Sequence, residues 1–524
     1  MSRKQAFTLL LLGAVMVCGG AFWIRTPGYM DADYYFAIGQ QLAAGHGFQE
    51  PFIWTYITNP AAIQHPAHLY WMPLTSLVAA VSMKIFGVSY RAAQLPFLIL
   101  TALLPLAVSR LSLQLFGDAR QAYRAGWYAG FSGFFFPYFL TTDMFILFAW
   151  IGLGIFYVFE TAREASKKLV WWPVLGALVG LGHLARADGW LLFVPLLVGI
   201  FRTPGERWKR ALLVFSGYLL IMGPWFIRNI SVTGSPLGSG VGLTLWLTSY
   251  AQFFHYPPQD ISAVHWLEAG FTQALIERLK AFGVILERVL AENGLIFLAP
   301  FMVLGGIRAR SKMSVRLAGL YGLLLIAVMS FVFPFAGVNG GIFHSSAALM
   351  PVLWCLAPFG LDRAIEWGAS KRSWDPARAR HLFHPSAIII AAILTICLAA
   401  VRVVGNDPAK PRWGWPQASY LSVGDYLSGL DADQEPVAVN NPPGYWVATG
   451  TQGIVVPTGG LVPLRKAMER YQVKWLILDV NRPDELHDLY NGVDIPNWLV
   501  YSGQVTAADG SAIRIFRFSP GDDS

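Results

Sequence analysis

Asp31 and Asp33 stand two residues apart in Tyr29-Met30-Asp31-Ala32-Asp33-Tyr34-Tyr35, a few residues beyond a long apolar run. A carboxylate kept ionised while shielded from bulk water is suited to take a proton from a hydroxyl. At a helix N-terminus such a charge is favoured by the helix dipole. The residues from there to Gly45-His46-Gly47-Phe48 read as an amphipathic helix capped by Asp31 and stopped at Gly45, with Tyr34 or Tyr35, Ile38 and Leu42 on its apolar face. The plainer reading of Asp31 is a cap and nothing more. Further on, Asp143 opens an apolar segment, Arg186 and Asp188 share a tight turn, and Arg228 ends another apolar segment. Arginines so placed can meet a phosphate or simply reach lipid headgroups, and Arg186 with Asp188 can be just a paired turn. His65 and His68, with His255, His265 and His344 in other polar segments, could ligate a metal, yet no H-E-x-x-H or similar spacing groups them.

The elements that carry these side chains are membrane elements. Of 524 residues, 55% are apolar and only 13% charged, where a soluble domain has roughly 25%. That excludes disordered, fibrous, coiled-coil and disulfide-scaffold chains and leaves a polytopic α-helical membrane protein. About eleven apolar segments have a usable length, near 6–24, 92–116, 125–141, 143–160, 169–186, 189–201, 211–229, 285–306, 315–333, 345–362 and 386–404. Arg3 and Lys4 precede the first and no cleavage site follows it, which implies an uncleaved signal anchor with a cytoplasmic N-terminus. With that start, the loops holding Arg120 and Arg124, Arg163, Lys167 and Lys168, Arg202 to Arg210, Arg308 to Arg316, and Lys371 to Arg380 all fall inside, as the positive-inside rule demands. His68 to Gly87 is apolar enough to be taken for another span. Were it to cross, every basic loop would face outward, so it is expected to lie along the outer surface.

Residues 25–91 and 230–284 then form two long external loops. Residues 1–404 carry 30 Lys/Arg and 17 Asp/Glu, whereas 405–524 carry 9 and 14. A basic membrane region followed by an acidic, turn-rich tail argues for a second, soluble α/β domain outside the cytoplasm rather than for nucleic-acid binding. Its expected elements are strands at Val437–Asn440, Ile454–Val456 and Val473–Val480, a helix near Leu461–Gln472, and a hairpin around Ala508-Asp509-Gly510. It has no G-x-G-x-x-G and no P-loop. The three cysteines lie in apolar runs and form no framework.

The order of marks along residues 1–240 resembles the GT-C class of membrane glycosyltransferases, specifically bacterial relatives of the dolichyl-phosphate-mannose protein mannosyltransferases and of the lipid A aminoarabinose transferase. The marks are the acidic start of the first external loop with Tyr34-Tyr35, His65-Pro66 before Leu69-Tyr70-Trp71, Thr142-Asp143, Ala185-Arg186-Ala187-Asp188-Gly189, and Pro224-Trp225-Phe226-Ile227-Arg228-Asn229. The resemblance implies an inner-membrane, inverting enzyme that takes a sugar from a polyprenyl-phosphate donor to a hydroxyl of a glycan, lipid or protein acceptor outside the cytoplasm. It also implies Asp31 as general base with Asp33 as the alternative. Arg186 and Arg228 would meet the phosphate, His65 the donor, and Asp143 and Asp188 would orient them. The resemblance fixes no cofactor, and a divalent metal is an option. The rival from another class is a transporter or flippase for a lipid-linked sugar. Such proteins commonly show paired halves with polar breaks at mid-membrane, and here the polar groups gather at one face.

Overall fold

The computed structural model describes residues 1–164 and 169–519, so Lys167 and Lys168 lie outside the described residues. Among the described residues, seven helices are long and apolar enough to cross a membrane: Arg3–Trp23, Tyr90–Phe116, Phe145–Arg163, Arg207–Thr233, Met313–Val332, Pro334–Arg372 and Pro376–Val404. The other four expected spans fold as shorter pieces. Segment 125–141 is split into Ala119–Gly130 and Phe135–Phe139 around Gly133 at φ +61. Segment 169–186 is the 15-residue helix Trp171–Ala185, and 189–201 becomes a 3-10 turn, Ala187–Leu192, running into Phe193–Arg202. Segment 285–306 breaks at Leu295 and Ile296, whose φ values are 44 and 60, before Ala299–Arg308. Of the eleven expected spans, seven are thus full-length helices among the described residues, and the count of eleven is not confirmed. A hydropathy window averages over such breaks, because apolar composition reports partitioning into lipid while helix continuity depends on backbone angles.

The outer helices present apolar side chains outward because their solvent is hydrocarbon. Arg3–Trp23 buries only Leu9, Gly13 and Val17, and Pro376–Val404 exposes Ile389, Ile390, Ile393 and Ile396. Phe145–Arg163 is the central helix, with Phe145, Ile146, Phe148 and Ala149 fully buried. Hydrogen-bonded pairs gather the basic loops at one end of the bundle. Arg308 reaches Glu366 at 2.9 Å, Arg380 reaches Glu366 at 3.1 Å and Asp362 at 3.3 Å, and Gln121 donates to Asp362.

The first loop lies at the opposite end. Its helix, Met30–Ala43, is buried continuously from Ala32 to Gly39, so it has no polar outer face there. Tyr29 holds the N-cap position with no capping side chain, which corrects the expectation that Asp31 caps it. The helix packs on Leu74–Phe86 and on Pro442–Thr449 of the tail. Leu74–Phe86 has 13 residues, about 20 Å of helix against a hydrocarbon core of about 30 Å. Its exposed Val81, Ile85 and Phe86 suit a helix lying on a membrane surface.

The strands among the described residues are β1 (Gln49–Glu50), β2 (Phe52–Ile53), β3 (His65–Pro66), β4 (Val437–Val439), β5 (Gly453–Val455), β6 (Trp475–Leu478), β7 (Leu499–Thr506) and β8 (Ala512–Phe518). The tail sheet has the order β2-β5-β4-β6-β8-β7. β2, β5, β4 and β6 run parallel, and β8 and β7 pair antiparallel. Alternation along β4 explains why a helix covers each face: Val437 and Val439 pack on Tyr420, Val423 and Leu427, whereas Ala438 packs with Leu464, Ala467 and Met468. The sheet is completed by the first loop. Phe52 and Ile53 are fully buried in it, each contributing about 1.5–3 kcal/mol, and Tyr56 donates to the Val455 carbonyl at 2.5 Å. Loop and tail therefore share one core.

Candidate active site

Three segments distant in sequence meet just beyond the first helix. His344 places Nε2 3.3 Å from Asp31 Oδ2 and 3.2 Å from Asp143 Oδ2. Its Nδ1 donates to the Gly340 carbonyl at 2.9 Å, so the proton of the neutral ring sits on Nδ1. Gly340 breaks the helix at φ +105, a conformation that suits glycine and turns that carbonyl toward the ring. Phe145 stacks on the imidazole with centroids 4.2 Å apart. Tyr29 donates to Asp143 Oδ2 at 2.6 Å, and the Met144 N–H donates to Oδ1 at 2.6 Å. Burial alone would push the Asp143 carboxyl up, but His344 and these hydrogen bonds hold it below the usual carboxylate range. The Asp143 side chain is 0% exposed, whereas that of Asp31 is 30% exposed. Asp31 is the acid that a substrate can reach.

Asp188 joins this group through the next residue on the chain. Ser345, beside His344, donates to Asp188 Oδ2, and Arg186 Nε donates to Asp188 Oδ1 at 2.7 Å. Among the described residues the terminal guanidinium nitrogens of Arg186 have no hydrogen-bond partner. Burial would lower the Arg186 pKa, and Asp188, Tyr35 and Asp143 outweigh it, so the side chain stays a cation. Tyr70 and Tyr250 lie within electrostatic range of Asp31, which brings both long loops to the rim. One cation with two free nitrogens thus shares a cluster with a reachable carboxylate, an arrangement that can hold an anionic leaving group while a neighbouring hydroxyl is deprotonated.

The remaining candidates sit elsewhere. Asp33 points into the tail and accepts from Asn441 Nδ2 at 2.9 Å. Asn441 is held in turn by the Gly444 N–H at 3.1 Å, and a Cβ on Gly444 would come within 2.8 Å of Asp33 Oδ2. Burial, opposed by the Asn441 hydrogen bond and reinforced by Asp31, pushes the Asp33 carboxyl up to about 7. His65 faces Glu50 at 3.6 Å, and Glu50 accepts from Tyr34 at 2.8 Å. Burial lowers the His65 pKa. Arg228 donates to the Ala67 carbonyl at 2.7 Å and lies over the Trp225 ring at 4.8 Å, fastening the first loop to its span. The structure brings Asp31, Asp143, Arg186 and Asp188 together, and leaves Asp33, His65 and Arg228 outside that group.

Tyr29 and Ser345 are the residues that sequence reasoning missed, and His344 stood there only as one of five histidines that could ligate a metal. Its only local signal is Gly340-Gly341 interrupting an apolar stretch. The ligand atoms of Asp31, Asp143 and His344 lie within 4.8 Å of one another. Two carboxylates converging on Nε2 require a positive charge between them, supplied by a proton on that nitrogen or by a divalent cation. The Nδ1–H···O=C bond leaves Nε2 free to ligate, and two acids with one histidine is a familiar donor set with open positions. These residues therefore fit a metal, although their spacing announced none.

Residues 64–227 match the sequence model of the dolichyl-phosphate-mannose-protein mannosyltransferase family. Comparison with curated proteins gives no match. Among solved structures, ArnT from Cupriavidus metallidurans bound to undecaprenyl phosphate is similar at 14% identity and TM-score 0.57, over 98% of each chain. The oligosaccharyltransferase AglB from Archaeoglobus fulgidus, in complex with an inhibitory peptide and a dolichol-phosphate, is similar at 11% identity and TM-score 0.56, over 99% of this chain and 74% of that one. A form of the Archaeoglobus fulgidus oligosaccharyltransferase in complex with Zn and sulfate is similar at 14% identity and TM-score 0.56, covering 90% of this chain and 68% of that one. The chain thus shares the fold of these solved structures along nearly its whole length, and the family match spans the segment that carries Asp143, Arg186 and Asp188.

Proposed function

We propose that the protein transfers a sugar from a polyprenyl-phosphate donor to an acceptor hydroxyl, by a single inverting displacement with Asp31 as general base. The observation that carries this reading is that a reachable Asp31 carboxylate and the free guanidinium nitrogens of Arg186 belong to one small cluster, Asp31 held there through His344 and Arg186 through Asp188 and Ser345. The acceptor hydroxyl attacks the anomeric carbon and its proton passes to Asp31. The bond from that carbon to the phosphate oxygen breaks, and the polyprenyl phosphate leaves with the electron pair, its growing charge met by Arg186. Asp188, held by Ser345, keeps the guanidinium oriented, and Asp143 keeps His344 against Asp31. A divalent cation held by Asp31, Asp143 and His344 would add positive charge facing the leaving phosphate. Undecaprenyl phosphate in the ArnT complex and dolichol-phosphate in the AglB complex support the donor class.

The basic loops, gathered at the end opposite Asp31, favour a cytoplasmic N-terminus with site and tail outside, in the inner membrane. The acceptor would enter between the tail and the 230–284 loop and is a glycan, lipid or protein. The test incubates purified protein with labelled polyprenyl-phosphate sugars and follows release of polyprenyl phosphate. Asp31→Asn is expected to reduce release about a thousandfold. Normal release by that variant, or movement of intact donor across liposomes without cleavage, would overturn the reading.

A further inference from the structure

The basic end of the bundle holds a second feature that the reaction does not use. A groove of about 490 Å³ runs between helix Ala119–Gly130 and helix Pro376–Ala399. Its walls change character along its length. Arg124 and Arg380 stand at one end and Trp127, Phe131, Ile388 and Ala392 line the other. From residue 380 to residue 392 the helix rises about 18 Å, close to the roughly 15 Å of hydrocarbon in one leaflet of a 30 Å core. A groove that is cationic at the interface and apolar down one leaflet has the profile of a single membrane lipid.

Charge decides which lipid. Arg380 is paired with Asp362 and Glu366, but Arg124 has neither an ion pair nor a side-chain hydrogen bond among the described residues and meets Asp362 and Asp118 only at longer range. Arg120, Arg308 and Arg363 add to the cationic side, so the acids at this end are outnumbered. One of the lining residues also carries a buried polar atom without a partner. His384 is 1% exposed, bonds Asp362 through Nε2 at 2.8 Å, and has nothing on Nδ1. Such an atom is destabilising unless something bonds it. The groove-lining helix belongs to the span with only 22% of its apolar window buried by protein, so lipid already surrounds it.

We propose that this groove seats one anionic glycerophospholipid of the leaflet at the basic end, its phosphate between Arg124 and Arg380, its glycerol esters level with His384, and its acyl chains along Trp127, Phe131 and Ile388. The lipid wedges the helix leading to the tail against the bundle. This does not depend on the transfer reaction, and its failure would leave that reading untouched.

The experiment adds phosphatidylglycerol, phosphatidylcholine, polyprenyl phosphate or inorganic phosphate to delipidated full-length protein in neutral detergent, and measures bound lipid by native mass spectrometry. Phosphatidylglycerol is expected to bind saturably at one copy and at least about fivefold more tightly than phosphatidylcholine, from the surplus cation near the surface. Arg124→Ala should weaken it about fivefold. Ala392→Trp, which fills the apolar floor, should abolish it with the helical circular dichroism spectrum intact. Equal binding of the two phospholipids, or unchanged binding in both variants, overturns the proposal. Tighter binding of polyprenyl phosphate that Ala392→Trp removes overturns the phospholipid as occupant, and binding of inorganic phosphate at the same affinity overturns the need for a lipid.

Discussion

A histidine bonded to aspartate stands at each end of the bundle, and the two differ in what surrounds them. His344 has both ring nitrogens engaged, one by the Gly340 carbonyl and one by two carboxylates, with Arg186 close by. His384 engages only Nε2, on Asp362, and sits among arginines. The first is a closed acidic cluster in need of a cation, arranged around a carboxylate that stays reachable. The second is an open cationic groove in need of an anion. The same pair of residue types thus serves opposite ligands, because the net charge of the shell and the second ring nitrogen decide what can enter.

The largest effect that tests this contrast is expected from His344→Ala. Removing the positive charge between Asp31 and Asp143 should cost about a hundredfold in donor turnover, read by phosphate release. The contrast breaks if His384→Ala costs as much. Adding a chelator sharpens it: a bound cation would make wild-type Tm fall and leave His344→Ala unmoved. Next comes Arg186→Ala, expected to lower kcat by about tenfold to a hundredfold with recovery of part of it in Arg186→Lys, because the leaving phosphate needs charge more than fork geometry. An unchanged kcat would move the phosphate elsewhere.

The smallest effect concerns Asp33, the neighbour that the fold turns away from the site. Its carboxyl titrates at about 7 in the folded protein, against about 3.9 in an unfolded chain. Between those values the folded state keeps a proton that the unfolded chain has released. Stability is therefore full below about pH 4 and falls as pH rises toward 7, by at most about 1.4 kcal/mol per unit. Asp33→Asn should remove that slope, so that the Tm difference in favour of the variant grows from pH 5 to pH 8. A constant difference would mean that Asp33 is ionised throughout, as a catalytic base would be.

Several features were legible in the residues. Asp143, Arg186 and Asp188 announced themselves as charges at the ends of apolar segments, and such charges are costly in lipid unless they do something. The tail strands near 437, 454 and 475 showed as short β-branched runs and were found within a residue or two. The choice between Asp31 and Asp33 was not legible, since both sit two residues apart on one helix start. Only the arrival of Asn441 from the tail and of His344 from a late span separates them. The edge strand Phe52–Ile53 was equally hidden, because two residues carry no periodicity of their own.

By itself, the sequence determined that this protein is a membrane-embedded bundle with an acidic tail and that its charges collect at the two surfaces. Those properties follow from the transfer of each side chain between water and lipid, which is a local, additive quantity. The tertiary structure alone decided which acid is reachable, which histidine completes the cluster, and that the first loop and the tail share one sheet. Those depend on contacts between residues hundreds of positions apart, whose geometry no local pattern encodes.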